Sequence, residues 1–250
     1  MLYTGLVSIS FRKLSPQEII EAVKAAGLQC VEWGSDVHAP CNDPERLQEI
    51  AKLQEESGIF CSSYGTYFRL GVTPTEEFPA YIQAAKILGT NILRLWCGNK
   101  SPQNYTEEEK EAIYAQGREV AKMAEEAGVI LCMECHPWSL TEFADSAYAL
   151  MQAVNSPAFR MYYQPNQFMT TEDNIAYAKL LAPYTYHLHV FNWEAEKKFP
   201  LCEAIDKWKA YLSCFEGDRA LLLEFMPDGK IETLPTEAKA LFEIIGGNAS

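Results

Sequence analysis

The feature of this sequence that most constrains its fold is a short apolar run, Val129–Met133, followed at once by Glu134 and two residues later by His136. Two more apolar runs have the same form, since Tyr186–Trp193 contains two histidines and a third run leads into Glu224. Strands that are apolar along their length and polar at the carboxyl end are typical of a parallel sheet with a reaction site at one edge. Two Glu and a His meeting there suit a divalent metal between two acid/base groups. The pattern predicts an enzyme that acts on a small polar substrate.

Strand-like and helix-like runs alternate along the whole chain. The predicted strands are Thr4–Ser10, Cys30–Trp33, Ile59–Tyr64, Ile92–Trp96, Val129–Glu134, Arg160–Gln164, Tyr186–Phe191 and Ala220–Phe225. Each interval leaves room for one helix and two loops, as parallel strands require. We therefore predict an α/β fold, a (β/α)8 TIM barrel formed by one domain over residues 1–250. The alternative is a doubly wound open sheet, which usually has a glycine-rich loop after its first strand, whereas Ser8–Lys13 follows that strand here.

The ends of the predicted helices are marked by residues that favour helix starts and stops. The predicted starts are capping boxes at Ser15–Glu18, Thr73–Glu76 and Thr106–Glu109, together with the cap and proline at Asp43–Pro44. The predicted stops are Gly27, Gly58, Gly89 and Gly128, each a few residues before a strand. Only the tail Gly246–Ser250 is expected to fray.

Composition limits the partners and the compartment. A net charge of −13 argues against a nucleic-acid partner, because phosphate contacts need clustered Lys and Arg. The first residues contain no basic region with a cleavage site, and no apolar run is long enough to span a membrane, so we predict a cytoplasmic protein without a membrane partner. The eight cysteines lie mostly in apolar runs and are predicted to be buried and free. Cys132 and Cys135 have metal-site spacing, but an odd offset on a strand directs their thiols to opposite faces.

Amide, aromatic and basic side chains accompany the acids near the predicted barrel mouth. Gln164 ends the sixth strand, where its carbonyl oxygen suits a hard metal or a sugar hydroxyl. Aromatic rings beside charged groups suit carbohydrates, although such rings more often belong to the core. Arg69 and Arg94 are candidates for binding a phosphate or carboxylate, and pairing with a buried acid such as Glu32 is the alternative role.

The strand-end motifs resemble those of the xylose isomerase-like TIM barrels, a superfamily that includes tagatose 3-epimerase-like enzymes, hydroxypyruvate isomerases, inosose dehydratases and endonuclease IV. The resemblance covers essentially the whole chain and rests on Val31–His38, Ser63–Arg69, Leu93–Trp96, Glu134–Pro137, Gln164–Pro165, His189–Trp193 and Leu223–Phe225. It implies a divalent metal (Mn, Zn, Mg or Co) bound by Glu134, Gln164, His189 and Glu224. The superfamily usually has Asp where this chain has Gln164, so one negative charge is missing from the implied site.

The resemblance also implies a reaction. It implies an isomerase or epimerase of a small sugar or sugar derivative, compatible with a homo-oligomer, in which Glu134 and Glu224 exchange a substrate proton through an enediolate. The predicted substrate-binding residues are Glu32, His38, Tyr64, Arg69, Arg94, Trp96, His136, Gln167 and Trp193. An inosose-dehydratase-like lyase and a non-catalytic sugar-binding barrel with a weakened metal site remain open. Endonuclease IV chemistry is disfavoured by the four histidines and the acidic charge.

Overall fold

Eight parallel strands close into one barrel in the computed structural model, which describes residues 1–247. The strands are β1 (Leu2–Val7), β2 (Cys30–Gly34), β3 (Phe60–Leu70), β4 (Ile92–Cys97), β5 (Ile130–Glu134), β6 (Phe159–Tyr163), β7 (Thr185–Val190) and β8 (Arg219–Leu223). The barrel closes where β1 pairs with β8, from Leu2 opposite Arg219 to Leu6 opposite Leu223. Because every strand has a neighbour on both sides, the barrel has no open edge. The predicted (β/α)8 TIM barrel is confirmed.

Eight helices surround the barrel. They are α1 (Pro16–Ala25), α2 (Pro44–Ser57), α3 (Phe78–Ile87), α4 (Glu107–Ala127), α5 (Ala144–Val154), α6 (Thr171–Leu181), α7 (Ile205–Leu212) and α8 (Leu234–Ile244). The predicted caps are confirmed at Ser15, Asp43 and Thr106, and the four predicted stop glycines all have positive φ angles. Among residues 1–247, no helix is both long and apolar enough to cross a membrane. Part of the tail that we expected to fray, residues 248–250, lies outside the described residues.

The helix start predicted at Thr73 is wrong. The Thr73 hydroxyl accepts a hydrogen bond from the backbone N–H of Arg69 at 3.0 Å, and the Thr73 N–H donates to the carbonyl of Arg69 at 2.8 Å. Both bonds close the turn that follows β3. The Thr73 hydroxyl is therefore bonded to the backbone of the preceding strand and does not cap a helix. A short 3₁₀ turn at Thr75–Glu77 leads into α3, which begins at Phe78 without a side-chain cap.

The predicted bounds differ from the structure most at the carboxyl ends of the first and third strands. The first strand ends at Val7, because Ser8–Phe11 turns into a 3₁₀ helix at the mouth of the barrel. The third strand continues past Tyr64 to Leu70, and an irregularity after Gly65 lets Arg69 pair with Trp96 of β4. This extension carries β3 further toward the mouth than the sequence pattern indicates.

Two apolar clusters form the core, one between strands and helices and a smaller one inside the barrel. The inner cluster contains Val7, Ile9, Cys30, Ile92, Cys132, Tyr162, Ala220 and Leu222. Cys132 belongs to the inner cluster and Cys135 to the outer one, so the C-x-x-C pair is split across the strand as predicted. All eight cysteines are free thiols. The inner cluster fills the barrel beneath the carboxyl ends of the strands, and a polar site lies above it.

Candidate active site

Four side chains from the carboxyl ends of consecutive strands meet above the inner cluster. Glu134 is the last residue of β5, Gln164 follows β6, His189 lies near the end of β7, and Glu224 follows β8. His189 Nδ1 lies 3.1 Å from Gln164 Oε1, 3.3 Å from Glu134 Oε1 and 3.7 Å from Glu224 Oε2. None of the four residues is more than 7% exposed. The structure therefore brings together all four residues that the resemblance implied as ligands.

The geometry of this group fits a bound cation. Three oxygens face one imidazole nitrogen, which can donate at most one hydrogen, so the group has more acceptors than donors. Ligands bound about 2.1 Å from a common ion lie roughly 3.0–3.4 Å from each other in octahedral or tetrahedral geometry, close to the separations observed here. The ligand atoms of Glu134, His189 and Glu224 all lie within 4.8 Å of one another. Nitrogen and oxygen donors at these spacings suit Zn²⁺, Mn²⁺ or Mg²⁺.

A buried carboxylate fixes the orientation of the histidine. Glu32 of β2 is fully buried, and its Oε2 lies 3.3 Å from Nε2 of His189 and accepts a hydrogen bond from Ser63 at 2.9 Å. Nε2 of the imidazole therefore faces a carboxylate while Nδ1 faces the other three ligand atoms. A carboxylate on the far nitrogen orients a metal-binding histidine and makes it more basic. Although burial opposes it, the negative charges of Glu224 and Glu32 raise the pKa of His189 to about 10.

Arg94 of β4 joins two of the buried acids. Its Nε donates to Glu32 Oε1 at 2.8 Å, and its Nη1 donates to Glu134 Oε2 at 2.7 Å. Gly65 of β3 makes room for this pair, because a Cβ at that position would stand 2.7 Å from both Arg94 Nη2 and Glu32 Oε1. Three carboxylates with one guanidinium leave two negative charges when the histidine is neutral, and a divalent ion balances that charge.

The two strand-end glutamates have opposite electrostatic surroundings. One oxygen of Glu134 accepts hydrogen bonds from Arg94 and from the indole N–H of Trp96. Although burial opposes ionisation, Arg94 and His189 lower the pKa of Glu134 to about 2. The Glu224 carboxylate accepts no hydrogen bond from residues 1–247, and burial together with the charge of Glu134 raises its pKa. Glu134 is thus stabilised as the anion by two hydrogen-bond donors that Glu224 lacks among residues 1–247.

The predicted substrate-binding residues fall into three groups. Arg69, Trp96, His136, Gln167 and Trp193 are partly exposed at or beyond the carboxyl ends of the strands, where a substrate would enter. Glu32 and Arg94 lie beneath the candidate ligands with their polar atoms engaged by protein groups, so the structure gives them a supporting position. The remaining two, His38 and Tyr64, lie elsewhere.

The structure does not bring His38 and Tyr64 together with the other predicted site residues. Both nitrogens of His38 have structural partners, at 3.1 Å from the Ser8 hydroxyl and 3.1 Å from the Leu14 carbonyl. Tyr64 is fully buried, and its hydroxyl donates to the carbonyl of Ala39 at 2.6 Å. Adjacent residues on a strand face opposite sides, and because Ser63 points into the barrel, Tyr64 points into the helical layer.

Comparison with known proteins agrees with this architecture. Residues 20–213 match the family described as xylose isomerase-like TIM barrels. The chain belongs to this family. No curated protein sequence matches this xylose isomerase-like barrel at a significant level.

Solved structures share the fold of this xylose isomerase-like barrel over nearly its full length. The probable 3-DHS dehydratase AsbF from Bacillus anthracis has a TM-score of 0.80 at 18% identity, covering 96% of this chain and 98% of that one. The IolI protein with a bound zinc atom has a TM-score of 0.77 at 15% identity, covering 98% of each chain. The D-psicose 3-epimerase from Clostridium cellulolyticum H10, in complex with D-tagatose, has a TM-score of 0.70 at 14% identity, covering 98% of each chain. At these identities the likeness shows the fold alone.

Two residues at the mouth of this xylose isomerase-like barrel were not singled out from the sequence. Phe225 follows Glu224 with a positive φ of 51°, and its ring lies 5.6 Å from that of Trp193. Lys198 stands over both rings, at 4.9 Å from Trp193 and 4.7 Å from Phe225. The position of Phe225 next to Glu224, a candidate ligand, could have indicated that it lies at the mouth. The sequence around Lys198 contains no such indication.

Proposed function

We propose that this protein is a divalent-metal-dependent isomerase or epimerase of a small sugar or sugar derivative. The observation that carries the proposal is the pair of buried glutamates, Glu134 and Glu224, whose carboxylate oxygens lie with a nitrogen of His189 around one candidate ion position. Such pairs divide the roles of proton acceptor and proton donor between two carboxyl groups. The epimerases among its structural neighbours act on small sugars, which agrees with this class of reaction.

The residues of this chain fit the metal that the proposal requires. Glu134, Gln164, His189 and Glu224 would bind the ion, with Glu32 orienting the histidine. When bound, a divalent ion polarises adjacent carbonyl and hydroxyl oxygens and makes the intervening C–H more acidic.

The chain's own groups then move the proton. The Glu134 carboxylate, kept ionised by Arg94 and Trp96, accepts the proton from carbon on one side of the substrate. Glu224 donates a proton to the carbon from the opposite side of the substrate, and His189 fixes the position of the ligands. The four residues are at most 7% exposed, so their polar groups are shielded from bulk solvent.

The test is solvent exchange during turnover of small ketoses and their derivatives, in D₂O with Mn²⁺, Co²⁺, Mg²⁺ or Zn²⁺ supplied separately. We expect one deuterium at the carbon beside the carbonyl of the product, and loss of activity when a chelator removes the ion. Turnover that is unchanged by the chelator would contradict metal dependence. A product lacking solvent deuterium would indicate a hydride shift, and a product lighter by one water would indicate a dehydratase.

The affinity for the ion tests the role of Gln164. Gln164→Glu keeps the length of the side chain and adds a charge beside His189, so we expect Mn²⁺ to bind about tenfold tighter by calorimetry. Gln164→Asp adds the same charge on a shorter side chain, and comparison of the two separates charge from reach. The control is Gln167→Glu, a partly exposed amide that has no contact with His189. A dissociation constant that is the same in all these variants would show that Gln164 is not a ligand.

A further inference from the structure

Two arginines on neighbouring strands of the barrel have very different surroundings. Arg94 is fully buried and donates to two carboxylates. Arg69, near the end of the extended β3, is partly buried and has no carboxylate within salt-bridge distance among residues 1–247. Its guanidinium lies 4.5 Å from the ring centroid of Trp96, and its Nη1 donates to the carbonyl of Gly98 at 2.7 Å.

Most of the hydrogen-bonding capacity of Arg69 is unused. A guanidinium has five N–H donors, and the carbonyl of Gly98 is the only acceptor that this one contacts among the described residues. The Nε and Nη2 hydrogens on its other edge are free, and this edge forms parallel bonds to two oxygens of a carboxylate or phosphate. Arg69 therefore presents an open bidentate donor at the barrel mouth.

The missing counter-ion is notable because acids are abundant in this chain. The sequence has 34 Asp and Glu against 21 Lys and Arg, and two other basic residues, Arg12 and Lys100, are paired with Asp36 and Glu109. Burial lowers the pKa of Arg69, which is the sign of a cation that lacks full compensation. A partly desolvated charge without a partner costs free energy until an anion binds to it.

Only the side chain of Trp96 lies between Arg69 and Glu134, the proposed base. The indole of Trp96 lies against the Arg69 guanidinium on one side and donates its N–H to Glu134. An anion on the free edge of Arg69 would thus lie beside the reaction site, on the side of β3 and β4.

We infer that Arg69 binds an anionic group of the substrate, so that the substrate is a sugar derivative bearing a carboxylate or a phosphate ester. This inference rests on the proposed function, because it places the rest of that substrate among Glu134, His189 and Glu224. It separates the roles of the two arginines, with Arg94 neutralising buried acids and Arg69 recognising the ligand.

Lys207 of α7 provides the matched control. It is a partly buried cation whose ammonium group donates to the side-chain oxygen of Asn192 at 2.9 Å, with no carboxylate within salt-bridge distance among residues 1–247. It borders a cavity of about 380 Å³ that is also lined by Gln167 and Trp193. Lys207 is thus the rival position for an anion on the same face of the barrel.

The experiment titrates the full chain with inorganic phosphate and, separately, with acetate in Mg²⁺ buffer at constant ionic strength. The arginine Nε–H resonances are followed by NMR, and Arg69→Gln identifies the signal of Arg69. We expect a saturable shift of that signal in the unsubstituted chain and in Lys207→Gln. The apparent affinity for the anion, measured by calorimetry because Arg69→Gln lacks the signal, is expected to be about 10- to 100-fold weaker in Arg69→Gln and unchanged in Lys207→Gln. No saturable shift with either anion, an unchanged affinity in Arg69→Gln, or a loss confined to Lys207→Gln would overturn the inference.

The two probes separate the two sources of the anionic group. A response to phosphate alone indicates a sugar phosphate, a response to acetate alone indicates a sugar acid, and a response to both supports the shared chemistry. The titration requires no turnover, so its outcome is independent of the reaction. If an anion binds at Arg69 and no ketose derivative exchanges deuterium, the proposed function fails and the anion site stands. If deuterium exchange occurs and neither probe binds at Arg69, the anion site fails and the proposed function stands.

Discussion

Glu134→Gln and Glu224→Gln are each expected to lower turnover by about 10²–10⁴, because each removes one of the two groups that exchange the substrate proton. The measurement is the initial rate on an accepted substrate, with the metal content of each variant determined alongside. Metal content matters because both glutamates are also proposed ligands, and loss of the ion alone would lower the rate.

Deuterium exchange distinguishes loss of one proton carrier from loss of the whole site. A variant that keeps its metal and one of the two glutamates is expected to exchange the substrate C–H with D₂O without forming the epimer. The reason is that the remaining carboxylate can remove and return the proton on only one face of the substrate. Glu237→Gln is the control, because Glu237 is a buried glutamate of α8 that accepts a hydrogen bond from the backbone of Leu201. Full epimerisation by either strand-end variant, with metal bound, would rule out the two-base scheme.

Arg94→Met is expected to destabilise the fold by about 3–5 kcal/mol, because it leaves Glu32 and Glu134 buried without their shared cation. Chemical denaturation of the metal-free protein measures the effect without compensation from a bound ion. Arg118→Met is the control, since the partly exposed pair of Arg118 with Glu111 is worth no more than about 1 kcal/mol.

A second substitution tests the cause of the Arg94 effect. In the Arg94→Met background, Glu32→Gln removes one of the two uncompensated charges, so we expect it to recover part of the lost stability. Additive destabilisation by the two changes would show that Arg94 stabilises the protein through packing rather than charge.

Local sequence patterns were sufficient for the order of elements and for most of their boundaries. Caps at Ser15, Asp43 and Thr106 depend on a side chain bonding to backbone three residues away, so a short window of sequence contains all the partners. Thr73 has the same local pattern, but its hydroxyl bonds to the backbone of Arg69 at the end of β3. That competing bond depends on where the strand ends, which the helix-start pattern does not contain.

The strand-end candidates could be chosen from the sequence because parallel strands bring their carboxyl ends to one edge, and the resemblance to the family implied which four of them are ligands. A polar residue after an apolar run therefore predicts proximity to other such residues without knowledge of distances. The structure does not place Tyr64 and His38 with these residues, since Tyr64 faces the helices and His38 bonds to Ser8 and Leu14. A strand-end position identifies the edge, whereas the direction of a side chain depends on the pleat and on the loops around it.

The sequence by itself determined the barrel and the set of strand-end acids and histidines, because apolar periodicity and capping are properties of neighbouring residues. Only the tertiary structure decided how the charges are shared. Glu32, Arg94 and Glu134 come from three different strands, and their pairing depends on the register and closure of the barrel. Among residues 1–247, that pairing leaves the Glu224 carboxylate without a hydrogen-bond donor and Arg69 without a carboxylate within salt-bridge distance. Electrostatic roles follow from distances of a few ångströms between residues far apart in the chain, so the folded protein alone assigns them.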